Sequence, residues 1–424
     1  MHELSTSSSG RSNAHRFRTD IETWLSADLC PGRLGAKSIL GESARSGVEI
    51  SGIETIALED SNYGFTLVRV HTNKAIDGLG QAESPSPVID STIKTRGGLE
   101  NLLVGEDPLQ VERLWQKMYA ATGLWGRRGV TIAAIGAVET ALRDIAGKIV
   151  NKPVSELIWR SFATVKETAE IKNYVVPYAT VYPPGNTEKE IRERFTLGLQ
   201  RGFRAMKFEE LPGGFGHLDA KNDARLIRLV RETIGEDRDL MIDVQNAWND
   251  VGQAIATCRA IAPYNVHFLE APLPADNLEA YRRLAEAVDI RIAVGDWGFT
   301  TRFEFMDLMD RGGVDVVQPS TARSGGISEI TKIAEMAYRR GLLCIPHCWN
   351  AMVGVAAAVN LAAVLPNMPY IEYPLAFPDS PLISDLLVPS LKPDSNGRIE
   401  VPKRPGLGFT LNEDLVKRYR VAPS

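Results

Sequence analysis

Short apolar runs alternate with amphipathic stretches from about residue 174 onward, and this rhythm constrains the fold more than any other feature. The amphipathic stretches, such as 220–233 and 327–340, have helical spacing. The apolar runs recur at intervals of roughly 25–35 residues and are typical of strands buried on both faces. There are eight of them: 175–180, 205–208, 240–244, 266–269, 292–295, 314–318, 343–346 and 370–373. The pattern predicts an α/β protein with a parallel (β/α) barrel.

An open doubly wound sheet is the competing interpretation of the same alternation. It is less favoured because the sequence has no Gly-x-Gly-x-x-Gly after a predicted strand and no Walker A loop. Ahead of the barrel, strands at 50–58 and 65–71 precede helical patterns at 107–119 and 131–149, which indicates an α+β domain. The predicted organisation is a flexible extension (1–47), an α+β domain (48–173), the barrel (174–374) and a C-terminal segment (375–424).

Composition and charge exclude several classes of function. The 424 residues carry 48 Lys and Arg against 53 Asp and Glu, a net charge of −5, which gives no basic footprint for nucleic acid. The longest apolar stretch, about 352–365, is shorter than the about 20 residues that span a bilayer, and no export signal is visible. We therefore expect a cytoplasmic protein with no membrane or nucleic-acid partner. Four cysteines are too few for a disulfide framework, and His347 between Cys344 and Cys348 is a poor zinc pattern.

Residues able to do chemistry follow the predicted strands. Because the carboxyl ends of barrel strands converge at one mouth, these side chains are expected to share one space. They are Lys207, Glu209, Asp243, Gln245, Glu270, Asp296, Ser320, His347 and Glu372. Each taken alone has an ordinary structural explanation, such as a helix N-cap or a salt bridge. Three acids on successive strands, however, repel one another unless a cation lies between them, and oxygen ligands favour Mg²⁺ or Mn²⁺.

These positions carry a family resemblance. The motifs are Gly-Phe-Arg-Ala-Met-Lys at 202–207, Met-Ile-Asp at 241–243, Phe-Leu-Glu-Ala-Pro-Leu at 268–273, Gln-Pro-Ser and Ser-Gly-Gly-Ile within 318–327, Ile-Pro-His at 345–347 and Pro-Gly-Leu-Gly at 405–408. From about residue 48 to the end, the chain resembles the mandelate racemase subgroup of the enolase superfamily, the mandelate racemase/muconate lactonizing enzyme family. The resemblance implies a modified TIM barrel, (β/α)7β, under an α+β capping domain to which the C-terminal segment returns. It also implies a homo-oligomer.

The resemblance further implies one Mg²⁺ per chain, held by Asp243, Glu270 and Asp296, and abstraction of the proton α to a substrate carboxylate. Three positions depart from the family pattern. Asp296 replaces a glutamate, and Glu209 replaces a second lysine that serves as base. Ser320 replaces the aspartate partner of His347, which is therefore expected to lack a carboxylate and to act as a general acid.

We expect an acid-sugar dehydratase in which Lys207 or Glu209 is the base and His347 protonates the leaving hydroxyl. The predicted substrate-binding residues are Glu372, Ser320, Gln245, His217 and Arg323, and loops at 60–63 and 83–89 are expected to set specificity. A racemase, epimerase or cycloisomerase acting through the same enediolate is the alternative within enzymes. A protein that binds metal and acid sugar without turnover is the alternative from another class.

Overall fold

The computed structural model describes residues 46–162, 170–182, 185, 187–209, 220–349 and 352–422. The predicted flexible extension, residues 1–47, lies almost entirely outside the described residues, and so does the Gly-rich loop at 212–217. Within the described part, no helix is both long enough and apolar enough to cross a membrane.

An antiparallel sheet and a layer of helices form the N-terminal part of the described chain. The strands are β1 (Ile50–Glu59), β2 (Gly64–Thr72), β3 (Gly78–Ala82) and, from the far end of the chain, β16 (Arg420–Val421). They lie in the order β16-β1-β2-β3. The helices are α1 (Ser86–Lys94), α2 (Leu99–Leu103), α3 (Val111–Thr122), α4 (Val130–Ile149) and α5 (Val154–Phe162). The Ala-rich α4 packs its buried face against this sheet.

Glycines bring this layer into backbone contact with its neighbours. A Cβ on Gly80 of β3 would lie 1.8 Å from the carbonyl oxygen of Ala137 in α4. On the other side of α4, a Cβ on Gly136 would lie 2.7 Å from the backbone nitrogen of Gly326, at the entry to a barrel helix. Any larger residue would force these elements apart. The end of β3 is thus held at a fixed position above the barrel.

Eight parallel strands form the second sheet, as the sequence predicts. They are β5 (Pro177–Tyr182), β6 (Ala205–Glu209), β7 (Asp239–Asp243), β8 (Val266–Glu270), β9 (Ile292–Val294), β10 (Val316–Val317), β11 (Leu343–Cys344) and β12 (Ile371–Ala376). The connecting helices are α6 (Glu188–Gln200), α7 (Ala220–Ile234), α8 (Val251–Ile261), α9 (Leu278–Ala285), α10 (Arg302–Arg311), α11 (Ile327–Arg339) and α12 (Met352–Ala362). The predicted (β/α)7β architecture is confirmed.

The strand order is β11-β10-β9-β8-β7-β6-β5-β12. Each barrel strand differs by at least one residue from its predicted run, and for three of them the reason is visible. The run at 175–180 splits, because β4 (Tyr174–Val175) pairs outside the barrel with β14 (Ile399–Glu400) and the barrel strand begins at Pro177. Strands β10 and β11 are short because Pro319 and Pro346, which follow them, have no N–H to donate to a ladder.

The last part of the chain forms small elements: α13 (Pro381–Ser384), β13 (Leu387–Val388), β15 (Thr410–Leu411) and α14 (Glu413–Tyr419). Strand β16 then returns to β1, where Val421 pairs with Ala57. The domain boundaries at 47, 173 and 374 stay predictions.

A layer of apolar side chains fills the barrel beneath its mouth. Its buried members are Tyr178, Ala205, Met241, Phe268, Ala293, Val316 and Ile345. Because side chains alternate along a strand, the residues two positions further on also point inward, one layer higher. For β6, β7 and β8 these are Lys207, Asp243 and Glu270. The alternation therefore sets a charged layer directly on an apolar floor.

Candidate active site

Three carboxylates meet at the ends of three neighbouring barrel strands. Asp243 ends β7, Glu270 ends β8, and Asp296 follows β9 by two residues. All three are buried, and one oxygen of each lies within 4.8 Å of the others. An oxygen of Glu270 and one of Asp296 have no hydrogen-bond partner among the described groups. Such an all-oxygen set suits a hard divalent cation, so these residues fit the metal that the sequence predicts.

Burial raises the pKa of all three carboxyls. For Asp296 the pKa reaches about 7, because the nearby charge of Asp243 adds to the effect of burial. Without a cation, the cluster therefore favours protonation. A bound cation reverses that preference.

The backbone around the acids takes unusual conformations. Gln245, Asn246 and Ala271 have positive φ angles of 51°, 58° and 42°. The N–H of Gln245 donates to Oδ1 of Asp243 at 2.8 Å, and that of Asn246 donates to the carbonyl of Ala271 at 2.6 Å. Strained residues of this kind cluster at functional sites. Asparagine tolerates this conformation, but nothing in the sequence signals it at Gln245 or Ala271.

Lys207 lies in the centre of the acids. Its Nζ is 2.8 Å from Oε2 of Glu270, 2.9 Å from Oε1 of Glu372 and 3.3 Å from Oδ2 of Asp243. The side chain is 1% exposed. Burial lowers the pKa of Lys207, but the charges of Glu270 and Glu372 outweigh it and hold that pKa well above the ordinary value. Lys207 is therefore a buried ammonium ion in this structure.

Glu209 ends β6 beside this cluster and is buried. Its Oε1 accepts a hydrogen bond from Nε2 of Gln245 at 2.5 Å, and its Oε2 has no partner among the described groups. Burial raises the pKa of Glu209 well above its usual range, although Lys207 opposes the shift. A desolvated carboxyl with a free oxygen is suited to exchange a proton.

Glu372, predicted to bind substrate, is fully buried and bonded on both oxygens. Its Oε1 accepts from Thr180 at 2.5 Å and from Lys207. Its Oε2 accepts from the backbone N–H of Cys348 at 2.8 Å. Among the described residues, β11 and β12 share no strand ladder. The carboxylate therefore bridges the seam of the barrel.

His347 lies on the far side of the cluster, between two carboxylates. Its Nε2 is 3.9 Å from Oε2 of Glu372, and its Nδ1 is 3.6 Å from Oε2 of Glu83. Burial lowers the pKa of His347 to about 3; Glu372 opposes the shift, whereas Arg323 and Lys207 add to it. The imidazole thus favours the neutral form at neutral pH.

Glu83 lies at the site although the sequence indicates it only as part of a predicted specificity loop. The expectation that His347 lacks a carboxylate neighbour is wrong: the carboxylate comes from the chain after β3 and not from position 320. Ser320 and Arg323 lie here too, and both contact Glu83. No sequence signal links residues so far apart in different layers.

The structure thus brings together every predicted site residue that it describes. Those residues are Lys207, Glu209, Asp243, Gln245, Glu270, Asp296, Ser320, Arg323, His347 and Glu372. The remaining candidate, His217, lies outside the described residues.

Comparison with known proteins identifies the family. The model of the mandelate racemase / muconate lactonizing enzyme N-terminal domain matches residues 54–159, and the enolase C-terminal domain-like model matches 190–415. The chain belongs to the mandelate racemase / muconate lactonizing enzyme family of the enolase superfamily. The predicted membership in this enzyme superfamily is confirmed.

Relatives in this family are named for more than one reaction. An arabinonate dehydratase of Saccharolobus solfataricus is 31% identical over 89% of this chain and 94% of its own. A D-galactarolactone cycloisomerase of Agrobacterium fabrum is 29% identical over 87% of this chain and 94% of its own. The crystal structure of a 3,6-anhydro-D-galactonate cycloisomerase from Zobellia galactanivorans matches 88% of this chain and all of its own, with a TM-score of 0.78 and 30% identity.

Proposed function

We propose that this protein is a Mg²⁺-dependent hydro-lyase that converts an acid sugar into a 2-keto-3-deoxy acid. One observation carries the proposal: Glu209 and His347 flank a buried cluster of acids around Lys207 at the mouth of the barrel. The names of the relatives support an acid-sugar substrate.

The carboxylate of the substrate needs positive charge around it, because proton removal beside it creates a dianion. Asp243, Glu270 and Asp296 would hold the ion. When bound, Mg²⁺ supplies charge neutralisation at the substrate carboxylate. Lys207 supplies a second, permanent positive charge from the adjacent strand.

Glu209 is the proposed base. The ammonium group of Lys207 faces three carboxylates at 2.8–3.3 Å and has no lone pair to accept a proton. Oε2 of Glu209, by contrast, is buried and unpartnered among the described groups. It would take the α-proton, while Gln245 holds the other oxygen in place.

His347 is the proposed acid. As the C–H bonding electrons form the enol, the bond from the β-carbon to its hydroxyl breaks, and a proton from Nε2 leaves with that hydroxyl as water. The enol then tautomerises to the 2-keto-3-deoxy acid. This step requires the imidazolium form of His347. Because burial keeps the ring neutral before the substrate binds, Nε2 would take up its proton with the substrate, and the neighbouring carboxylates of Glu83 and Glu372 would stabilise the charge.

A cycloisomerase or epimerase is the second candidate, and the proximity of Glu83 to His347 favours it. A histidine next to a carboxylate can also act as a base from the opposite face. The relatives named cycloisomerases agree with this possibility.

Proton exchange tests the proposal. NMR in D₂O would follow the α-proton across a panel of sugar acids, with Mg²⁺ or with EDTA. We expect metal-dependent exchange and elimination on one acid, no exchange in Glu209→Gln, and exchange without elimination in His347→Asn. Glu59→Gln and His267→Asn are matched controls, because Glu59 is exposed at the end of β1 and His267 lies near the start of β8. Magnesium binding without exchange on any acid would support a binding protein instead.

We also propose an assembly state and a location for this protein. The chain forms a homo-oligomer, which light scattering measures, and it acts in the cytoplasm. Both rest on the family resemblance.

A further inference from the structure

We propose that Glu83 is the positioning residue for His347, so that the N-terminal layer supplies the carboxylate that orients a barrel histidine. This inference rests on the proposed role of His347 as proton donor. It adds a residue from outside the barrel to the site.

The first support is the placement of Glu83. It directly follows β3, whose glycines lie against the backbone of α4. Its own N–H donates to the carbonyl of Ala322 at 3.1 Å, in the loop after β10. The next residue is held to the antiparallel sheet, because the hydroxyl of Thr66 in β2 donates to the carbonyl of Ser84 at 2.8 Å. The backbone at Glu83 is therefore fixed to the sheet on one side and to the barrel on the other.

The second support is that three side chains lie around one oxygen of Glu83. Oε2 of Glu83 is 3.2 Å from Nε of Arg323, accepts from the hydroxyl of Ser320 at 3.4 Å and is 3.6 Å from Nδ1 of His347. Burial raises the pKa of Glu83 to about 7, although the cation of Arg323 lowers it and Glu372 raises it further. Above that pH the group is a carboxylate and can accept a proton donor from the ring.

The third support is the ring itself. His347 is 6% exposed, and its Nδ1 is a buried atom with no hydrogen-bond partner among the described groups. The charged groups that act on the ring are Glu83 on the Nδ1 side, Glu372 on the Nε2 side, and Arg323 and Lys207 further off. A small closing movement would make the contact with Glu83 a hydrogen bond, and Nδ1 would then carry the proton. Nε2 is then left on the substrate side with a free lone pair, where it takes up the second proton that it later donates to the leaving hydroxyl.

The tautomer of His347 tests this without any substrate. The chain has six histidines, and the ¹⁵N signals of His347 in histidine-labelled protein are those absent from His347→Asn. At pH 8 we expect wild-type His347 to carry its proton on Nδ1, and Glu83→Ala to shift the proton toward Nε2. Adding Ser320→Asp to Glu83→Ala should restore the Nδ1–H form, because the hydroxyl of Ser320 already lies 3.4 Å from the oxygen that is removed.

Glu59→Ala, from the same layer, should leave the ¹⁵N pattern of His347 unchanged. If Glu83→Ala does not fold, Glu83→Gln takes its place and should weaken the preference for Nδ1–H. A wild-type pattern in a folded Glu83 variant, or an Nε2–H form in the wild type, overturns the proposal. Once a substrate is known, Glu83→Ala should lower kcat for elimination at least tenfold while α-proton exchange persists. Failure to find a substrate would count against the proposed function only, since the NMR measurement stands apart from it.

Discussion

Replacing Asp296 by Asn should change stability in opposite directions with and without a divalent cation. The facing oxygens of Asp243, Glu270 and Asp296 lie within 4.8 Å of one another. Two unit charges at that distance repel by about 3.5 kcal/mol at an effective dielectric constant of about 20. Lys207 offsets part of this repulsion. Without metal at pH 8, we expect Asp296→Asn to raise the free energy of unfolding by roughly 1–3 kcal/mol.

The pH dependence has a definite sign. The pKa of Asp296 is raised to about 7 in the folded protein, chiefly by burial and then by Asp243, against about 3.9 in an unfolded chain. A raised carboxyl pKa penalises the folded state increasingly as pH rises from about 4 to about 7. In EDTA, the increase in the free energy of unfolding caused by Asp296→Asn should therefore be larger at pH 8 than at pH 5.

With Mg²⁺ bound, the wild-type protein should have the larger free energy of unfolding and Asp296→Asn the smaller. A ligand at a hundredfold excess over its Kd stabilises the folded state by about 2.7 kcal/mol, and the variant has lost one ligand. Urea unfolding of both proteins, in EDTA and in saturating Mg²⁺, measures the four free energies. Asp276→Asn is the matched control, because that aspartate is exposed in the loop after β8. Equal destabilisation by Asp296→Asn under both conditions would refute the reasoning.

Three further variants address charge and packing. Lys207→Ala leaves three carboxylates without their buried ammonium partner, so it should abolish α-proton exchange and lower the free energy of unfolding by about 3–5 kcal/mol; a stable, active variant would contradict the site. Gly80→Ala forces β3 away from α4 and should cost at least about 2 kcal/mol in urea unfolding, whereas Gly64→Ala, with its nearest contact at 3.9 Å, should cost much less. Arg143→Met removes the cation paired with the fully buried Glu139, which keeps only its hydrogen bonds from Ser328, and should lower stability by about 3–5 kcal/mol. The exposed-pair control Arg282→Met should leave the unfolding midpoint nearly unchanged, and equal losses in the two would contradict the argument from burial.

The barrel and most of its site could be predicted because both depend on a local sequence pattern, the apolar run of each strand and the residue that follows it. A strand buried on both faces leaves a continuous apolar run, and the residue at its end points to the mouth. This rule predicts Asp243 and Glu270 at the mouth, and both lie there. Strands β10 and β11 end short of the predicted runs, although Pro319 and Pro346 mark these limits in the sequence.

Glu83 could not be predicted, because its function depends on where one layer docks on another. The contact needs β3 to lie on α4 and the N–H of Glu83 to reach the loop after β10. Neither is a property of local sequence. The positive φ angles of Gln245 and Ala271 could not be predicted for a related reason. Tertiary contacts hold the backbone of these two residues in a conformation that their side chains do not favour.

The carboxylate of Glu372 both binds Lys207 at the site and joins strands at the seam of the barrel, and this double role limits how the protein can evolve. Oε1 of Glu372 binds Lys207 and accepts from Thr180 of β5, and Oε2 accepts from the N–H of Cys348 after β11. Among the described residues, β11 and β12 share no ladder at this seam. A substitution that tuned the site for a new substrate at this position would at the same time loosen the closure of the barrel. New specificities are therefore expected to arise from substitutions of side chains that contact the ligand and do not help to close the barrel. Laboratory evolution of such specificities should leave Glu372 unchanged.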